Sequence, residues 1–188
     1  MKNKKILTVI ITALIAVLSF TVAGCSIANF ATCEKMLTNS ANTLVYVKTQ
    51  FDVTDANEKV FMYSESVEII DGNAEIVKST SRLNPSYEFS TIEDNSFVEN
   101  VDRASLLNFS FNKKYFKEYS LEKGVFTATV TGYYLDEFLN GAKITIKGDA
   151  NVVLTFENEI LKSAEIAFKL QSGKQVKMTV ECKYEENN

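Results

Sequence analysis

From Asn42 the chain alternates apolar and polar residues with a period of two, and it returns to that period repeatedly until its end. Val45, Val47, Thr49, Phe51 and Val53 alternate with Tyr46, Lys48, Gln50 and Asp52, which predicts a strand over 43–54. After the polar turn Thr54-Asp55-Ala56-Asn57, Phe61, Tyr63, Val67 and Ile69 share one face of a second strand, 58–70. Asp71-Gly72 then tolerates the positive φ that a two-residue hairpin needs at both central positions, so 74–83 is expected to return antiparallel. Asn84-Pro85 breaks that run, and Tyr87, Phe89 and Thr91 suggest a fourth strand. The last third repeats the pattern three times, over 143–157, 160–170 and 174–184, with tight connections at Asn158-Glu159 and Ser172-Gly173. An antiparallel meander with one buried face accounts for it.

Helical periodicity is confined to short pieces. Phe30, Cys33, Leu37 and Ala41 fall on one face of a helix over Ala28–Asn39. Ser96 followed by Glu99 has the spacing of a capping box and predicts a helix over 97–106. A stretch dense in aromatics, 108–121, leads through Glu122-Lys123-Gly124 to a strand at Val125–Thr131. A small helix is expected at Tyr134–Asn140, stopped by Gly141. The fold class expected is α+β: a large curved antiparallel β-sheet, a half-barrel, with a few short helices packed on one side.

The start of the chain obeys a different rule. Lys2, Lys4 and Lys5 precede an uncharged run from Ile6 to Phe20 that only Thr8, Thr12 and Ser19 interrupt. Basic start, apolar middle and small-residue end are the parts of a secretory signal. The run is near the lower limit of about 18 residues for a spanning helix, so length alone leaves an uncleaved anchor open. Its end, Val22-Ala23-Gly24-Cys25, resembles the lipobox of bacterial lipoproteins. That resemblance implies a diacylated Cys25 thiol and cleavage between Gly24 and Cys25. Residues 1–24 would then be a signal peptide and 25–188 a single extracytoplasmic domain, held to a bacterial membrane by its N-terminal lipid. Two or more acyl chains, at about 0.8 kcal/mol per buried methylene, make a stable anchor.

Composition narrows the partners. The chain has 20 basic and 24 acidic residues, and losing a signal with three lysines and no acid leaves a mature charge of −7. Such a balance argues against nucleic acid and against a basic patch on anionic headgroups. Of the three cysteines, Cys33 and Cys182 remain once Cys25 is lipidated. Outside the cytoplasm they admit a disulfide between the first helix and the last strand, or two buried thiols acting as small hydrophobes.

No catalytic constellation is present. The chain lacks histidine, which removes the commonest general base and metal ligand, and it leaves Cys33 and Cys182 without a base to activate a thiol. Asp52, Asp55, Asn57 and Glu58 cluster but lack the glycine and ligand order of a calcium loop, and a polar turn explains them. No enzyme, cofactor or metal is expected. Phe109, Phe111, Tyr115, Phe116, Tyr119, Phe126, Tyr134 and Phe138 have two readings. They supply the core where helices meet the sheet, or they line an apolar cavity for a lipid tail.

The order of helix, long antiparallel strands, helical insertion and more long strands resembles the lipoprotein-carrier (LolA-like) superfamily, including its lipid-anchored lipoglycan carriers. The resemblance covers most of 28–184 and implies a half-open barrel closed by helices over a cavity that takes acyl chains. The soluble carriers lack a lipobox and hold their lid with an arginine; this chain has the lipobox, and its arginines are Arg82 and Arg103. The function expected is a membrane-anchored, non-enzymatic binder of lipid or another hydrophobic ligand. The alternative is an envelope protein–protein interaction module with a filled core and an exposed apolar patch.

Overall fold

A computed structural model describes residues 29–83, 88–141 and 144–185. Residues 1–28, among them Gly24 and Cys25, lie outside the described residues. Nine strands form one antiparallel sheet: β1 (Leu44–Asp55), β2 (Glu58–Ile70), β3 (Asn73–Leu83), β4 (Phe89–Val98), β5 (Phe116–Glu122), β6 (Val125–Val130), β7 (Ala150–Glu157), β8 (Ile160–Lys169) and β9 (Gln175–Tyr184). Their spatial order is β4-β3-β2-β1-β9-β8-β7-β6-β5, so two meanders join through the β1–β9 pair. Among the described residues the sheet is open, with β4 and β5 as its edges. Helix is sparse among the described residues: α1 over 29–43, α2 (Leu135–Phe138) and three short 3-10 turns. The molecule is therefore more nearly all sheet than the expected α+β balance.

The hairpins form where the sequence places them. Asp71 and Gly72 have φ of 51° and 79°, and Asn158 and Glu159 have 52° and 63°, the left-handed pairs that match the twist of two antiparallel strands. Strands β7, β8 and β9 alternate buried and accessible positions along their length, as their period-two sequence requires.

One expected element is replaced. Ser96, Phe97 and Val98 belong to β4, paired with Ile76, Glu75 and Ala74, rather than opening a helix over 97–106. Ten consecutive cross-strand pairs outweigh one local capping preference, and the turn begins only at Asp102, whose carboxylate accepts from the Ala104 N–H. What remains is a 3-10 turn at Arg103–Leu107 that buries Leu106 and Leu107.

Cross-strand register shows what faces the core. One row runs Lys78, Glu65, Thr49, Val180, Ala164, Leu154, Phe126, Leu121 from β3 to β6 and β5. The next runs Thr80, Tyr63, Phe51, Met178, Ile166, Val152, Ala128, Tyr119. Partners in register share a face. The β5–β9 wing thus presents an apolar, buried inner face, whereas the β1–β3 wing turns polar along the same rows. Helix α1 lays Phe30, Cys33, Met36 and Leu37 on that face, in one continuous cluster with Val67, Phe126, Leu154 and Val180.

Candidate functional site: a cleft beneath the first helix

A cleft of about 720 Å³ opens between α1 and the segment 104–111. Leu37 and Ala41 come from the helix, Leu107, Phe109 and Phe111 from the segment, and they make its floor apolar. Thr38, Asn42, Ser105, Ser110 and Asn140 supply hydrogen-bonding groups, and Glu34 is the charged residue on its wall.

Polar contacts fasten segment 103–110 at its two ends and along its length. The Arg103 guanidinium donates to the Asn42 carbonyl at 2.9 Å and reaches the Glu185 carboxylate at 3.1 Å. Asn108, in the left-handed conformation at φ 60°, donates from its amide to Thr49 Oγ1 at 3.0 Å and Glu65 Oε1 at 3.2 Å. Glu65 points inward from β2, and its other oxygen accepts from Tyr63 Oη at 2.9 Å and pairs with Lys78 Nζ at 3.3 Å. Desolvation, and then the hydrogen bond to Glu65, push the Tyr63 hydroxyl up to about 12. Beyond Asn108, the Ser110 N–H donates to the Phe138 carbonyl at 2.7 Å.

The eight aromatics divide. Phe109 and Phe111 reach the cleft. Tyr115, Phe116, Phe126 and Phe138 are buried, and Tyr119 and Tyr134 are partly buried against the same cluster. Their rings meet one another: Phe111 with Phe126 at 5.3 Å, Phe116 with Phe138 at 5.9 Å, Tyr115 with Tyr134 at 5.6 Å, and Tyr119 with Phe126 at 6.1 Å. Rings packed at these separations fill the space they would otherwise line. Of those six, none lines the α1 cleft: Tyr115, Phe116, Phe126 and Phe138 form the core, and Tyr119 and Tyr134 pack against it. Phe30 closes the cluster from α1, stacked on Phe111 at 4.6 Å.

Of the two arrangements expected for Cys33 and Cys182, the structure carries them as two free thiols. Cys33 is fully buried on the inner side of α1, whereas Cys182 is half-buried on β9 in register with Val47 and near the Tyr184 hydroxyl. Burial pushes Cys33 up to about 12 and Cys182 to about 11, so neither carries the thiolate that attacks a disulfide or an acyl group. The carboxylates considered for calcium are engaged by lysines: Asp52 with Lys59 at 2.8 Å and Asp55 with Lys174 at 3.7 Å. Among the described residues no group of carboxylates and thiols has the arrangement of a metal site, and no helix is long and apolar enough to cross a membrane.

Sequence reasoning missed most of the cleft wall. Thr38, Ala104, Ser105 and Ser110 are small residues whose only signal is their size, which leaves room between helix and segment.

No family model and no curated protein matches this chain. Among solved structures, the crystal structure of LprF from Mycobacterium bovis is similar at 14% identity, over 83% of this chain and 94% of that one, with a TM-score of 0.39. Likeness at that level transfers no residue roles, so the cleft is interpreted through its own geometry.

Proposed function

We propose that the protein is a lipid-anchored extracytoplasmic lipoprotein that binds an amphiphilic ligand in the cleft beneath α1, without catalysing a reaction on it. The carrying observation is the cleft itself. Its volume falls in the range of about 300–1,000 Å³ typical of small-molecule sites, and it pairs an apolar floor with a rim of hydroxyls and amides. Leu37, Leu107, Phe109 and Phe111 would hold a hydrocarbon chain, and Thr38, Ser105, Ser110 and Asn140 a polar end. Because the charged wall residue is Glu34, a neutral or cationic polar end fits better than an anionic one. Segment 103–110, hinged between the Arg103 and Asn108 contacts, would act as the cover. The absence of histidine and the protonated thiols support a binding role over an enzymatic one.

Two experiments test separate halves of the proposal. Native mass spectrometry of protein extracted from membranes should show a co-purifying amphiphile. Ala41→Phe, which fills the cleft, should remove that mass and weaken uptake of a fluorescent alkyl amine by about tenfold or more. Equal uptake by the filled variant overturns the cleft as the site. Cys25→Ser should abolish incorporation of labelled palmitate and leave the precursor unprocessed; normal acylation of that variant overturns the anchor.

A further inference from the structure

The edge strand β4 carries an unusual concentration of exposed apolar groups. Among the described residues six large hydrophobics are exposed, and four of them lie on β4: Phe89, Ile92 at 72%, Phe97 at 64% and Val98. Every residue of the strand is exposed. It pairs with β3 through ten residues without a register shift, so it is a long, regular edge whose other side has no strand partner among the described residues. Natural edges of this length are normally blunted by a bulge, a lysine or a proline. The opposite edge follows that rule: β5 has seven residues, a bulge between Phe116 and Glu118, and Lys117 tied to Asp149 at 2.6 Å. β4 contains no lysine, arginine or proline.

At the centre of β4 sit Glu93 and Asp94, on opposite faces of the strand, with the apolar residues to either side. Neither is in an ion pair with a described residue. Lys78, which lies opposite Asp94 in register, turns to Glu65 instead. The pattern of apolar, acidic centre, apolar reads nearly the same in both directions. A second copy pairing antiparallel about the strand's midpoint would set Glu93 against Asp94 twice, and like charges directly opposite destabilise a pair. The chain's net negative charge opposes such self-association further.

We infer that β4 is a docking edge for an extended segment of a different polypeptide, which adds as a tenth strand with basic residues at its centre and apolar residues at its ends. Backbone hydrogen bonds along the free edge supply the pairing, Glu93 and Asp94 set the register, and Ile92 and Phe97 take the flanking apolar side chains. No residue of β4 lines the α1 cleft, so this surface does not depend on what the cleft holds.

The test uses the whole protein in detergent and two synthetic peptides of about ten residues that alternate isoleucine and threonine, one with two central lysines and one with two central glutamates. The lysine peptide should bind at least about tenfold more tightly, and the Glu93→Lys/Asp94→Lys double variant should invert that preference. Amide exchange at β4 should slow when the lysine peptide is added, and N-methylation along one edge of the peptide should abolish binding. A merely electrostatic surface contact would leave β4 exchange and the N-methylated peptide's affinity unchanged, and that result overturns the proposal. So does equal binding of the two peptides, failure of both to bind, or a peptide-free dimer in sedimentation equilibrium whose β4 amides are already protected.

Discussion

Ser40 Oγ accepts a hydrogen bond from the Leu161 backbone N–H at 2.7 Å, joining α1 to β8 across 121 positions of sequence. The same hydroxyl donates to the Met36 carbonyl one turn earlier at 2.6 Å, and Ser40 is completely buried. The carbonyl of Leu161 is taken by the Tyr184 hydroxyl, so both backbone groups of one strand residue are satisfied by side chains from other elements. Ser40→Ala strands a buried donor. It should lower stability by about 1–3 kcal/mol in urea titration, whereas Thr38→Ala, at an exposed position two residues earlier, should move it by less than about 0.5 kcal/mol.

Asn108 makes the corresponding tie for the cover of the cleft. Asn108→Ala loses both sheet contacts and the tolerance of φ 60° that an asparagine side chain has and an alanine lacks, while Asn108→Gly loses only the contacts. The alanine variant should be destabilised by about 1–3 kcal/mol and the glycine variant by less. In both, amide exchange over 103–110 should quicken while that of β7–β9 stays as before, which separates local loosening from global unfolding.

The aromatic cluster is predicted to behave as core. Phe138→Ala should cost about 3–5 kcal/mol, because a fully buried ring leaves a cavity that its neighbours cannot close. Tyr133→Ala, at a ring 85% exposed, should be neutral within about 0.5 kcal/mol. Comparable losses at the two positions would mean that the cluster is not the centre of packing.

Stability should fall on the alkaline side. Cys33, Cys182 and Tyr63 have folded pKa values raised to about 12, about 11 and about 12 from ordinary values of 9.0, 9.0 and 10.0. A raised folded pKa means that the native state holds its proton more tightly than the unfolded chain does. The contribution is complete below about pH 9 and is lost as pH climbs toward 12. Urea midpoints should be level from pH 7 to about 8.5 and then decline. Iodoacetamide should label the two described thiols in proportion to unfolding, not to pH alone.

The sequence by itself determined most of the strands. Alternation at Val45–Val53 and Val176–Tyr184, with Asp71-Gly72 and Asn158-Glu159 between runs, suffices because side-chain direction and turn chirality are local properties of the chain. Three strand readings changed: Ser96–Val98, whose local capping signal competes with pairing to β3, β5 (Phe116–Glu122), read only as a stretch dense in aromatics, and β7, which begins at Ala150 rather than at 143. Tertiary structure alone decided which aromatics fill space and which border it, because periodicity gives a residue's face but not what stands opposite. It also decided that Ser40 serves Leu161 and that small residues on α1 and segment 104–110 face each other across a cleft. Those outcomes depend on distances between elements far apart in the chain, and such distances are fixed only when the whole sheet closes on its helix.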